Sequence, residues 1–84
     1  PVITAIMDYD ARHSTDFLDT LKAYILHLGN TKKTAELLHI HRNTLLYRIN
    51  KIEELTNSSL EDYETMMHLM ISFYMMDKNN SPQD

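Results

Sequence analysis

The residues of this chain that can do chemistry cluster between Asn30 and Thr56, in the run N-T-K-K-T-A-E-L-L-H-I-H-R-N-T-L-L-Y-R-I-N-K-I-E-E-L-T. They are cations, amides, hydroxyls and imidazoles: Thr31, Lys32, Lys33, His41, Arg42, Asn43, Thr44, Tyr47, Arg48 and Lys51. What this set can do is donate hydrogen bonds and supply positive charge. An arginine fork matches the acceptor edge of guanine, and an asparagine amide matches the donor-acceptor edge of adenine. Lysines and hydroxyls suit phosphate oxygens. The chemistry these types suggest is recognition of duplex nucleic acid.

Such residues need rigid elements to hold them, and the run reads as two helices joined by a tight turn. Thr31 is an expected N-cap, since its hydroxyl can accept from a free N–H of the first turn. The first helix is predicted from Lys32 to Leu38, with Leu37 and Leu38 in the core. Ala35 stands where two steeply crossing helices need a small side chain. His39-Ile40-His41 forms the turn, with Ile40 as its apolar plug. Such turns commonly hold glycine at a left-handed position; histidine is enriched at positive φ and can replace it at some cost. The second helix is predicted over about 42–55. Leu45, Ile49, Ile52 and Thr56 repeat at steps of three and four and form one buried stripe. Asn43, Tyr47, Asn50 and Lys51 lie opposite. This is the layout of a helix-turn-helix whose second helix enters the major groove.

The net charge of -4 argues at first against a nucleic-acid partner. Its distribution reverses that reading. Between Asn30 and Lys51 stand Lys32, Lys33, Arg42, Arg48 and Lys51, against Glu36 alone. Asp8, Asp10, Asp16 and Asp19 precede the stretch, and Glu53, Glu54, Glu61, Asp62 and Glu64 follow it. A basic face on an acidic body orients itself on DNA. The plainer reading is a set of solvated helix faces.

The segment A-E-L-L-H-I-H-R-N-T-L-L-Y-R-I resembles the C-terminal DNA-binding domain of bacterial PucR/CdaR-type regulators, which control purine-catabolism or sugar-diacid genes. Ala35, Leu38, His39, His41, Arg42, Asn43, Thr44, Leu45, Tyr47, Arg48 and Ile52-Glu53-Glu54-Leu55-Thr56 carry the resemblance. It extends to Tyr9-Asp10, Leu18-Asp19-Thr20-Leu21 and Gly29-Asn30. More distantly, Ala35, Ile40, Arg42, Thr44 and Leu45 are similar to the helix-turn-helix of the nucleoid protein Fis. The chain departs from the family at Leu46, where a basic residue is usual, and at Asn57, where glycine is usual. Asparagine can also adopt the left-handed conformation. The resemblance implies a bacterial transcriptional regulator.

The 84 residues allow one small domain, whose core would benefit from a partner subunit or tight helix packing. A single glycine and two prolines favour helices throughout. Residues 1–13 read as a linker or the end of an upstream helix, with Ile3, Ile6 and Met7 at helical spacing and 8–13 as linker. The first residue is Pro1 rather than Met, as expected of a piece of a longer protein. The DNA-binding domain is expected over 14–76. Ser14 is the expected cap of a helix to Leu28, with Asp16 in its first turn and Phe17, Leu18, Leu21, Ile25 and Leu28 as its stripe. Gly29 ends it as a left-handed residue. After a loop over 57–61, Asp62 should cap a last helix to about Met76. Met66, Leu69, Met70, Phe73 and Met76 form one face. Met67, Ile71, Tyr74 and Met75 make the other side apolar too, which suits either more core or a subunit interface. Residues 77–84 read as a polar, frayed tail.

Other classes are disfavoured. The chain has no nucleophile elbow and no glycine-rich phosphate loop, and the adjacent Glu53 and Glu54 point apart on a helix; no enzyme is expected. His13, His27, His39, His41 and His68 raise metal binding, but His39 and His41 are two apart in a turn, not at the i, i+4 spacing of paired helical ligands. No metal and no cofactor is expected. With no cysteine, disulfide and thiolate chemistry are excluded. No apolar run reaches membrane-spanning length and no signal peptide is present, so no membrane partner is expected and the location should be cytoplasmic.

The expected fold is all-α: a small helical bundle with a trihelical helix-turn-helix core and flanking N- and C-terminal helices. The expected function is sequence-specific binding of double-stranded DNA by a homodimer. His41, Arg42 and Asn43 are assigned to bases. Thr31, Lys32, Lys33, Thr44, Tyr47, Arg48 and Lys51 are assigned to the backbone. Arg48 could instead pair with Glu36 or another acid, and Tyr47 could cover the core edge. The alternative function is a helical protein-interaction or dimerisation module that binds no DNA.

Overall fold

The computed structural model describes residues 2–80, and every regular element among them is an α-helix. The order is α1 (Val2–His13), α2 (Phe17–Leu26), α3 (Thr31–Leu38), α4 (Arg42–Thr56) and α5 (Tyr63–Asn80). The short helix α2 lies at the centre and touches each of the other four. It buries Phe17, Thr20, Leu21, Ala23 and Ile25. Around it gather Ile6 of α1, Ala35 of α3, Leu45, Ile49 and Ile52 of α4, Leu60 of the following loop, and Leu69 and Phe73 of α5. The all-α helix-turn-helix bundle expected from the sequence is the fold observed.

The N-terminal segment corrects one expectation. Residues 8–13 are not a linker but the second half of α1. Ile6 is fully buried in the common core, while Met7 is about half exposed at 49%. Tyr9 stacks on Phe17, with ring centroids 5.3 Å apart and planes 11° from parallel. Arg12 and His13 in the last turn complement the negative end of the helix dipole.

The start of α2 is also built differently. Ser14 is not its cap: it takes a left-handed φ of 53° between the helices. Asp16 occupies the N-cap position, rather than the first turn, and its side chain makes no capping bond. The cap comes from α1. The Asp10 carboxylate accepts the N–H groups of Phe17 and Leu18, each at 2.9 Å, and the Thr15 hydroxyl. One side chain thus neutralises donors that α2 cannot satisfy itself and fixes the α1–α2 angle.

The end of α2 falls at Leu26 rather than Leu28. Leu28 N–H reaches Ile25 O and Gly29 N–H reaches Tyr24 O, the paired closure of a Schellman motif. Leu28 holds the left-handed position itself, φ 54°, and Gly29 follows at φ 76°. Leu28 therefore leaves the expected stripe and is 69% exposed. A Cβ on Gly29 would lie 3.3 Å from Met66 Cε and 3.5 Å from the Tyr24 hydroxyl, so the bend also lets α5 approach. Burial, and then the nearby Glu53 and Glu61, push the Tyr24 hydroxyl above its ordinary pKa, so it stays protonated at neutral pH.

At the far end, Asp62 caps α5 as expected, its carboxylate accepting from the Thr65 N–H and hydroxyl. The helix continues past Met76 to Asn80, so the expected tail is helical over 77–80; residues 81–84 lie outside the described part. Lys22 and Asp77 pair at 2.6 Å between α2 and α5. Leu69 and Phe73 are buried, and Met66, Met70 and Met76 pack against the core, as the stripe requires.

The Asp10 cap makes a specific demand on stability. Asp10→Ala should lower the unfolding free energy by about 1–2 kcal/mol, read as a lower urea midpoint. Asp10→Asn, which keeps an acceptor oxygen, should lose less.

Candidate nucleic-acid interface

The surface that carries the expected site is assembled by α3, the turn and α4. The cap of α3 is Asn30, not Thr31: Asn30 Oδ1 accepts the Lys33 N–H at 3.0 Å, and Thr31 is the first helical residue. Asparagine ranks above threonine at this position, so the signal was present one residue upstream. Lys32 and Lys33 then project from the first turn of α3, both exposed, with Thr31 half-buried.

The turn follows the left-handed path expected of it. His39 has φ 55° and ψ 42°. Its N–H bonds to Glu36 O, and Ile40 N–H bonds to Ala35 O, closing α3 in the same manner as α2. Ile40 packs against the core. Ala35, 7% exposed, sits at the crossing of α3 on its neighbours. Leu38 packs on the core, but Leu37 does not, correcting its expected place: it is 54% exposed and lines an open groove of about 530 Å³ with His27, Lys33, Glu36 and His39.

His41 starts α4. Its backbone is extended and its ring Nδ1 accepts the Asn43 N–H at 3.0 Å. Arg42, Asn43 and Thr44 follow on the exposed first turn, and Tyr47 one turn later is 63% exposed. Lys51 is half-buried. On the other face Leu45, Ile49 and Ile52 are buried. Thr56 is half-buried and bonds Ile52 O through its hydroxyl. Asn57 ends the helix at φ 49°, taking the left-handed role in place of glycine. Among the described residues, Lys32, Lys33, Arg42 and Lys51 have no carboxylate within ion-pair distance. Their charge is available to a ligand.

Arg48 differs from the others. Its Nη1 donates to Thr20 Oγ1 at 3.1 Å. Thr20 is buried, and its own hydroxyl donates to Asp16 O at 3.0 Å. The internal partner of Arg48 is thus a hydroxyl on α2, not Glu36. This chain of bonds ties α4 to the capped start of α2. Sequence reading had no route to it, since the partners are far apart in the chain.

The geometry is that of a helix-turn-helix with a polar, cationic outer surface. Residues 17–75 match the PucR C-terminal helix-turn-helix domain. The chain belongs to this family. It is a DNA-binding domain of the PucR type, of the kind that gives transcriptional regulators their sequence-specific binding. The proline-responsive transcriptional activator PutR of Bacillus subtilis is 44% identical over 69 residues, covering 82% of this chain and 17% of PutR. The purine catabolism regulatory protein of B. subtilis is 43% identical over 58 residues, 69% of this chain and 11% of that protein. The carbohydrate diacid regulator of Escherichia coli is 38% identical over 56 residues, 67% of this chain and 14% of that regulator. The chain therefore spans less than a fifth of these PucR-type relatives. No solved structure matches. No helix among the described residues is long and apolar enough to cross a membrane.

The Arg48–Thr20 bond separates two roles for Arg48. Arg48→Ala should destabilise the DNA-free domain by about 1–2 kcal/mol, the worth of a partly buried hydrogen bond from a charged group. Chemical denaturation without DNA checks this; a residue serving DNA alone would leave that curve unmoved.

Proposed function

We propose that α4 is the recognition helix and enters the major groove of duplex DNA, as the output element of a bacterial, cytoplasmic transcriptional regulator. The observation that carries the reading is the first turn of α4. Arg42 and Asn43 are exposed there, with the Arg42 guanidinium free of any acid among the described residues. The N-terminal residues of a recognition helix are those that reach base edges. His41, Arg42 and Asn43 are the base-reading set, with Arg42 suited to guanine and Asn43 to adenine. Thr31, Lys32, Lys33, Thr44, Tyr47 and Lys51 are the backbone set, and Lys32 and Lys33 stand where the N-terminus of α3 adds its own attraction for phosphate. Arg48 adds to that set through the donors its Thr20 bond leaves over. The role is binding, with no catalytic step.

Two variants test the reading. Arg42→Ala should keep the fold and weaken specific binding by about 1–3 kcal/mol; unchanged operator binding would remove α4 from the groove. Log affinity should fall with log salt by about 0.9 per phosphate neutralised. Lys33→Ala should reduce that slope by about one unit, measured by titration at several salt concentrations.

The assembly proposed is a homodimer through the outer face of α5. Met67, Ile71, Tyr74 and Met75 are 53%, 58%, 62% and 53% exposed, so they form an apolar surface outside the core. One recognition helix contacts few base pairs, and bacterial helix-turn-helix proteins pair two of them on half-sites about 34 Å apart. Ile71→Asp with Tyr74→Asp should leave the helical signal intact and convert a sedimenting dimer to monomer. A wild-type monomer at high micromolar concentration would refute the interface in this domain.

A further inference from the structure

We propose that His41 is a specificity-determining residue that reads a hydrogen-bond acceptor on a base edge, and that its capping bond fixes it in that role. The inference rests on α4 lying in the major groove, as proposed above. A neutral imidazole has one N–H and one lone pair, on different nitrogens. In His41 the Nδ1 lone pair is taken by the Asn43 N–H at 3.0 Å. The proton must then sit on Nε2. The side chain is exposed at the N-cap of α4, next in sequence to Arg42 and Asn43. Towards a ligand it therefore offers a donor and no acceptor.

That asymmetry has a consequence for base choice. An uncapped histidine can rotate or change tautomer to present either a donor or an acceptor; His41 cannot without giving up its capping bond to the Asn43 N–H. In the major groove guanine O6 and N7, adenine N7 and thymine O4 accept, whereas the cytosine N4 amine donates. Cytosine on the strand facing His41 would set two donors against each other and leave both unpaired, the costly arrangement. His41 should therefore exclude cytosine at one operator position and tolerate the acceptor-bearing bases there.

The test combines ring spectroscopy with selection of sites from random duplexes. In the free domain, ¹⁵N ring shifts should report the Nε2–H tautomer of His41. His41→Ser keeps a capping oxygen but is too short to reach a base. Its urea midpoint should stay near wild type, while one operator position loses its bias against cytosine, roughly three- to ten-fold. His41→Ala should lose the bias and stability together. An Nδ1–H tautomer would overturn the assignment. So would a uniform loss of affinity on every sequence with a salt slope lower by about one, since that is a phosphate contact. Arg42→Ala is measured in parallel. If it abolishes selectivity while His41→Ser leaves the motif intact, α4 remains in the groove and the His41 role falls. If neither variant alters the motif, both fall.

Discussion

The fold depends on a helix too short to stand alone. α2 has ten residues, below the length at which a helix is stable in water, so its stability must come from packing and from its ends. All four other helices rest on it. Both ends are closed by specific means: the Asp10 carboxylate at the start, and the left-handed pair Leu28 and Gly29 at the finish. These closures set where α2 begins and stops, and therefore where α1 and α3 leave it. The left-handed Leu28 is a local cost that the rest of the structure must hold in place.

The proposed DNA-binding surface inherits its geometry from that centre. α4 is seated by Leu45, Ile49 and Ile52 on one face, and by the Arg48–Thr20 bond at its flank. Its first turn is then free to carry polar residues that need not pack. The same division appears in the charges. The acids Asp10, Glu53 and Asp62 accept hydrogen bonds within the fold, while Lys32, Lys33, Arg42 and Lys51 have no such partner acid among the described residues. A net negative charge and a cationic surface coexist because, Glu36 apart, the acids lie outside residues 30–51, and three of them, Asp10, Glu53 and Asp62, serve turns and caps.

How much of this was legible follows from the range of each interaction. The stripes of α4 and α5 repeat within one helix, so periodicity exposed Leu45, Ile49, Ile52, Leu69 and Phe73 directly. The turn at His39 and the stop at Asn57 are local backbone demands, and both were readable. The first turn of α4 was readable as exposed, polar and cationic; which base or phosphate each side chain meets is a matter of the DNA complex. Asp10 looks like linker in the sequence because its partners, the N–H groups of Phe17 and Leu18, belong to the next helix. The family resemblance had included Tyr9-Asp10 without a physical reason; the ring stack and the cap supply one. Leu28 leaves its expected stripe because a stripe assumes an unbroken helix, and Leu37 leaves the expected core because apolar character alone does not show which flank of a helix is covered. α2 ends before Leu28, and the outer flank of α3 at Leu37 is open.

The methionines of α5 are divided between two environments, and air divides them chemically. Met66, Met70 and Met76 pack against the core, whereas Met67 and Met75 are each about half exposed at 53%. A thioether accessible to peroxide becomes a polar, chiral sulfoxide. Ageing of the monomeric domain would therefore mark Met67 and Met75 on the outer surface of α5, together with Met7 of α1, before the packed methionines. The helix would gain two polar groups on its apolar side while the packing beneath stayed intact, and, with Met7 of α1 also about half exposed, a mass increase of up to three oxygen atoms would precede any loss of folded signal.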